Sequence, residues 1–118
     1  MERTVKFNGK EIRLASSLFT IISYRNVFGS ELFDDVEKLD KEMKKNKNDV
    51  GKFIDVLFRI IYVLHKPYYA ESYDRFLQSF DFSVLTNVDE LTNLANVIGE
   101  LLGDIKKNSD GTDVAPKR

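Results

Sequence analysis

Cysteine is absent from this chain of 118 residues, and histidine occurs once. Without a thiol there is no disulfide, no thiolate nucleophile and no cysteine-ligated zinc. A transition-metal site would have to be assembled almost wholly from carboxylates. The six glycines are scattered, and none falls in a loop that could cradle a phosphate. Charge of either sign is not in excess: the net charge is −1, which removes the electrostatic attraction that draws proteins to nucleic acid or to anionic membranes. Long apolar runs are missing too. The longest, Val56 to Leu64, is interrupted by Arg59 and is far too short to span a bilayer. No apolar run follows Met1-Glu2-Arg3-Thr4, so no signal peptide is expected.

What remains is 42% hydrophobic and 31% charged, the balance of an ordinary water-soluble domain, and the length suits one core. Thr4-Val5-Lys6-Phe7 and Glu11-Ile12-Arg13-Leu14 both alternate apolar with polar, and Asn8-Gly9 lies between them. Asn-Gly tolerates the positive φ of a type I′ turn, so the segment reads as a β-hairpin over residues 4–14. A two-residue loop sets the register: Phe7 faces Lys10, Lys6 faces Glu11, Val5 faces Ile12 and Thr4 faces Arg13. Val5, Phe7, Ile12 and Leu14 then share one face, and a two-stranded sheet needs helices packed on it.

Nearly everything after the hairpin has helical spacing. Ser16 or Ser17 caps a first helix, 16–28, and Gly29 is placed to end it. A second helix, 30–45, starts at Ser30 and carries Leu32, Phe33, Val36, Leu39 and Met43 on one face. Its acids gather at the start and its lysines at the end, as the helix dipole favours. Asp49 caps a third, 50–66, which Pro67 stops. The third is apolar around most of its circumference and is therefore expected at the centre. A fourth covers 70–79. Asn87-Val88-Asp89-Glu90 has the form of a capping box and opens a fifth, 88–106. The polar residues 107–118 read as a disordered tail after a single domain spanning 1–106. The expected fold is thus α+β, mostly helical.

Candidate chemistry is sparse. His65 lies at a helix end with no nucleophile near it in sequence, which suits a core-edge residue better than a general base. Glu31, Asp34, Asp35, Asp89 and Glu90 fall at or near helix starts, where acids are expected for dipole reasons, and they lack the spacing of a calcium loop. Lys41, Lys44, Lys45 and Lys47 form a basic patch diluted by Glu37, Asp40, Glu42 and Asp49, which reads as a solvated helix end. No catalytic, cofactor-binding or metal-ligating residue is assigned, and the chain is read as non-enzymatic. The notable concentration is aromatic. Tyr62, Tyr68, Tyr69, Tyr73, Phe76, Phe80 and Phe82 crowd around Pro67. Most must be core, but exposed tyrosine beside apolar surface suits protein recognition. Tyr62, Tyr68, Tyr69, Tyr73, Phe76 and Phe80 are the candidate protein-binding residues.

Two segments in order carry a resemblance. Ile12-Arg13-Leu14-Ala15-Ser16-Ser17 with Tyr24-Arg25-Asn26-Val27-Phe28-Gly29-Ser30-Glu31-Leu32 is similar to tail assembly chaperones of long-tailed phages, or prophages, of Gram-positive bacteria. So is Tyr62-Val63-Leu64-His65-Lys66 followed by Glu71-Ser72-Tyr73-Asp74-Arg75-Phe76-Leu77-Gln78-Ser79-Phe80-Asp81, with the family's aromatic-Leu-x-x-Phe pattern after a sharply ended helix. The likeness covers about residues 12–102, and Phe76 stands where relatives often carry tryptophan. It implies a small sheet with several helices and a non-enzymatic protein of the host bacterial cytoplasm that is not part of the mature virion. The implied partners are the tape-measure protein and the tail tube protein, with self-association on the same face open. No nucleic acid, membrane, small-molecule substrate or cofactor is implied. A longer frameshifted form usually accompanies such chaperones. The alternative reading is a small non-enzymatic adaptor or regulatory protein that works by helix docking.

Overall fold

Asn8 and Gly9 turn the chain with φ of 54° and 76°, the left-handed pair that a type I′ turn requires. They join β1 (Glu2–Phe7) to β2 (Lys10–Ala15) as an antiparallel hairpin. The register is the expected one, with Val5 opposite Ile12 and Lys6 opposite Glu11, and it extends outward to Glu2 opposite Ala15. Side chains alternate across a strand, so Val5, Phe7, Ile12 and Leu14 fall together on the face that is buried.

The computed structural model describes residues 1–45, 51 and 53–114, with side chains described to Gly103. Among the described residues five α-helices follow the hairpin: α1 (Leu18–Phe28), α2 (Leu32–Lys45), α3 (Ile54–His65), α4 (Tyr73–Gln78) and α5 (Val88–Val114). The protein is α+β and mostly helical. α3 is the centre. Leu57, Phe58, Ile60, Ile61, Tyr62, Val63 and Leu64 are all buried along it. The hairpin, α1, α2, α4 and α5 pack around it. Asp55 and Arg59, one turn apart and 3.1 Å from each other, mark its polar edge.

Helix ends show why the elements start and stop where they do. Ser17 Oγ accepts from the Phe19 amide at 3.2 Å, and Thr20 Oγ1 accepts from the Ser17 amide at 3.0 Å, which satisfies donors at the start of α1. Gly29, at φ 72°, ends that helix by donating its N–H to the Arg25 carbonyl. α2 begins at Leu32, so Ser30 lies before it. α3 begins at Ile54, later than expected, with Phe53 at its cap position; the expected cap, Asp49, lies outside the described residues. Pro67 sits in a 3-10 turn, Lys66–Tyr68, directly after His65. α4 is shorter than its apolar spacing suggests because Ser72 Oγ accepts from the Arg75 amide and sets its start. Asp81 caps an unforeseen 3-10 segment, Phe82–Thr86, by accepting from the Ser83 amide at 2.9 Å.

Only half of the expected capping box forms at α5. Asn87 Oδ1 accepts from the Glu90 amide at 3.2 Å, but Glu90 Oε1 turns away to accept from the Asn8 amide at 3.0 Å. The start of α5 is thereby tied to the hairpin turn. An Arg3–Glu100 ion pair ties the helix to the open end of β1, so α5 lies along the length of that strand. Its backbone continues as helix to Val114, past the expected end near 106. Among the described residues no helix is long and apolar enough to cross a membrane.

Candidate protein-binding surface

The aromatic cluster is chiefly a seam of the core. Tyr62 and Phe76 are each 3% exposed, and their ring centroids lie 5.5 Å apart. Phe76 also meets Phe80 at 5.1 Å and Tyr69 at 5.7 Å, while Tyr73 meets Tyr62 at 5.4 Å. Offset and edge-on contacts of this kind stabilise aromatic cores beyond simple area burial. The polar tips are satisfied: the Tyr62 hydroxyl donates to the Glu71 carbonyl at 2.8 Å. The Tyr73 hydroxyl faces Asp55, and burial followed by that carboxylate holds its pKa above the usual phenol value. Tyr69, Tyr73 and Phe80 are half-buried against this seam.

Tyr68 is the exposed member of the six. Its hydroxyl donates to Glu2 Oε1 at 2.9 Å, and the Arg13 guanidinium lies 4.2 Å from its ring centroid. The Tyr68 bond, and next a 3.2 Å bond donated by the Arg13 guanidinium to Glu2 Oε1, keep the Glu2 carboxyl below the ordinary carboxylate range. Tyr68 is thus engaged in pinning the 3-10 turn to the hairpin. His65 reinforces that attachment, with its Nδ1 2.7 Å from the Arg13 carbonyl and its ring stacked on Tyr69 at 5.1 Å.

The charged candidates are distributed. Among the described residues no group of three or more histidines and carboxylates is placed to hold a metal ion. Glu31 is held by Arg25 in two 2.8 Å bonds, Asp35 accepts from Tyr24, and Glu90 reaches the hairpin turn. Lys41 and Lys44 pair with Glu37 and Asp40 one turn earlier. Lys47 lies outside the described residues.

Apolar surface is found instead on α1. This helix turns Thr20, Ser23 and Tyr24 inward and leaves Leu18, Phe19 and Ile22 outward at 69%, 46% and 47% exposure. Leu18 and Ile22 are one turn apart, and Phe19 flanks them, so the three form one strip. The inversion has a local cause. α1 is apolar on nearly every side, and its polar inward residues are the ones with partners: Thr20 Oγ1 donates to the Ala15 carbonyl at 3.4 Å, and the Tyr24 hydroxyl donates to Asp35 at 2.6 Å. Phe28 completes the inner face, 5.1 Å from Tyr24 and 4.9 Å from Tyr73.

The strip is also free of charge. No ionisable acid or base occurs from Ala15 to Ser23, and Arg25 beyond it is neutralised by Glu31. Full burial of one large aliphatic or aromatic side chain is worth about 1.5–3 kcal/mol, so this helix leaves considerable binding potential toward a greasy partner. Spacing alone could have flagged α1, since Leu18, Phe19, Ile21, Ile22, Val27 and Phe28 surround it; which side stays outside is not visible without the fold. A second set of exposed apolar residues, Phe82 with Leu77 and Leu85 at 86%, 38% and 38% exposure, lies toward the hairpin turn, where Ser83 Oγ bonds Asn8 Oδ1. The α1 strip starts at the opposite, open end, where the Met1 amine meets the Ser16 carbonyl.

No protein-family model, curated protein or solved structure matches the chain.

Proposed function

We propose that the protein is a non-catalytic tail assembly chaperone of a phage or prophage, acting in the host bacterial cytoplasm through the α1 strip. Its client in this reading is the tape-measure protein, and tail tube subunits later displace the chaperone. The observation that carries the reading is the exposed, uncharged row of Leu18, Phe19 and Ile22 on a helix whose polar side is packed inward. The two sequence segments that resemble such chaperones support it independently. Physically, the chaperone lends apolar helix surface to a client that would otherwise aggregate. The strip is small, which suits modest affinity and later exchange.

Co-expression with the tape-measure protein of the same gene cluster, followed by affinity capture, tests this. The client is expected to co-purify and to gain solubility, and Phe19→Ser with Ile22→Ser is expected to abolish both effects while the chaperone stays folded. A client that remains insoluble with wild-type protein, or capture that is indifferent to both substitutions, would sink the reading. A gene neighbourhood without tube and tape-measure genes would favour the helix-docking adaptor.

A further inference from the structure

The two edges of the hairpin are finished differently. At its open end Met1 and Ser16 exchange both backbone bonds: the amine donates to the Ser16 carbonyl at 3.3 Å and the Ser16 amide to the Met1 carbonyl at 2.9 Å. Bonded and non-bonded pairs alternate along an antiparallel ladder, so Glu2–Ala15, Thr4–Arg13 and Lys6–Glu11 are the non-bonded pairs. Their N–H and C=O groups point away from the partner strand. On β2 the Arg13 carbonyl is met by His65 Nδ1 at 2.7 Å and the Ala15 carbonyl by Thr20 Oγ1 at 3.4 Å. On β1 the outward groups of Glu2, Thr4 and Lys6 bond no described residue. α5 lies along β1, yet it reaches the hairpin through the Asn8 amide and the Arg3 side chain and leaves that edge open. A free strand edge is a template for another strand.

Side chains on this edge narrow the occupant. Glu2, Thr4 and Lys6 share the exposed face of β1. Lys6 is in no ion pair among the described residues. Both bonds to Glu2, from Tyr68 and from Arg13, fall on Oε1, which leaves Oε2 without a described donor. Opposite charges directly across a strand pair attract, and like charges repel. A second β1, placed antiparallel with the two-fold axis at Thr4, meets the outward groups N–H to C=O along the whole edge. Lys6 of each copy then stands opposite Glu2 of the other, Thr4 opposite Thr4, and Arg3 opposite Val5. Sliding the copy either way loses the Lys6–Glu2 pairs, and one of those shifts brings Arg3 onto Arg3. Lysine on an edge strand ordinarily discourages pairing; here another copy of the same strand supplies the opposite sign.

We infer that β1 is a self-pairing edge, at which two copies of this chain join antiparallel about Thr4 into one four-stranded sheet. The site is separate from the α1 strip and does not depend on the chaperone reading. The contact is short, which suits a dimer of modest affinity. Sedimentation velocity of the full chain over a wide concentration series tests it, and the weight-average mass should climb from one chain toward two. Lys6→Glu should weaken association at least about tenfold, because both symmetry-related charge pairs turn repulsive together. Mixing Lys6→Glu protein with Glu2→Lys protein should restore it, since each strand then opposes the other with the opposite sign. Thr4→Pro should abolish it while circular dichroism stays that of the wild type, because the Thr4 N–H makes no ladder bond within the monomer. Phe19→Ser with Ile22→Ser should leave it unchanged. A chain that stays monomeric throughout, association that survives Lys6→Glu, or a mixture of the two charge variants that fails to associate would overturn the inference. So would association lost on the α1 substitutions, because the pairing surface would then be α1.

Discussion

The Tyr24 hydroxyl donates a 2.6 Å hydrogen bond to the Asp35 carboxylate, linking the inner side of α1 to the first turn of α2. Tyr24 itself is fully buried. A buried phenol without an acceptor is costly, so α1 can present this side to the core only because α2 brings Asp35 to meet it. Leu18, Phe19 and Ile22 are turned outward by the same arrangement.

Tyr24→Phe removes the bond and leaves the ring. A hydrogen bond to a charged group contributes about 1.5–3 kcal/mol, so the unfolding free energy from urea titration should fall by an amount in that range, with the slope unchanged. A variant as stable as the wild type would mean that ring packing alone orients α1.

Alkaline pH should weaken the fold through the same residue. Burial, and next the Asp35 bond, raise the Tyr24 pKa above its ordinary value of 10.0. Tyr73 is shifted upward as well, by burial and then by Asp55. A raised folded-state pKa stabilises the protein fully below the unfolded value, and that contribution declines as pH rises beyond about 10. Denaturant midpoints measured from about pH 8 to about pH 11 should drop, and Tyr24→Phe should make the drop shallower. An identical slope in the variant would show that Tyr24 has no part in it.

Substitutions on α1 should separate binding from stability. Phe19→Ser and Ile22→Ser are surface changes and should move stability by no more than about 0.5 kcal/mol. Leu57→Ala, in the centre of α3, should cost about 2–5 kcal/mol through loss of buried methyls and the cavity left behind. Thermal unfolding of the three variants measures the contrast. A large loss at Phe19 would place that ring in the core and remove it from the proposed surface.

Gly9 and Gly29 hold φ of 76° and 72°, where an added Cβ is disfavoured by about 1–2 kcal/mol. Gly9→Val and Gly29→Ala should each lower Tm by several degrees although neither position is crowded. Unchanged Tm in both would indicate that the turns relax to other geometries.

The hairpin was fully legible because its signals are local. Asn8-Gly9 sets the turn, the turn sets the register, and the register places Val5, Phe7, Ile12 and Leu14 on one face. The central position of α3 was legible for a related reason: a helix apolar around most of its circumference has to be enclosed. Element ends were less so. Ser72 and Asp81 each intercept a nearby amide, shortening α4 and creating the 3-10 segment after it, and side-chain choices of that kind leave little trace in hydrophobic spacing. Glu90 shows the same limit, since a box-forming residue found a better donor in Asn8, distant along the chain.

The aromatic residues mark where reading from sequence ends. Their crowding around Pro67 is plain in the chain, yet Tyr62 and Phe76 lie in the core and Tyr68 is tied to Glu2. Residue order alone specified the turn, the strand pairing and the helical character of the rest, because each follows from neighbours a few positions apart. Which apolar side of α1 remains in water depends on where α2 and α3 stand. Those positions are set by contacts between distant residues, such as Tyr24 with Asp35, and only the folded chain brings them together.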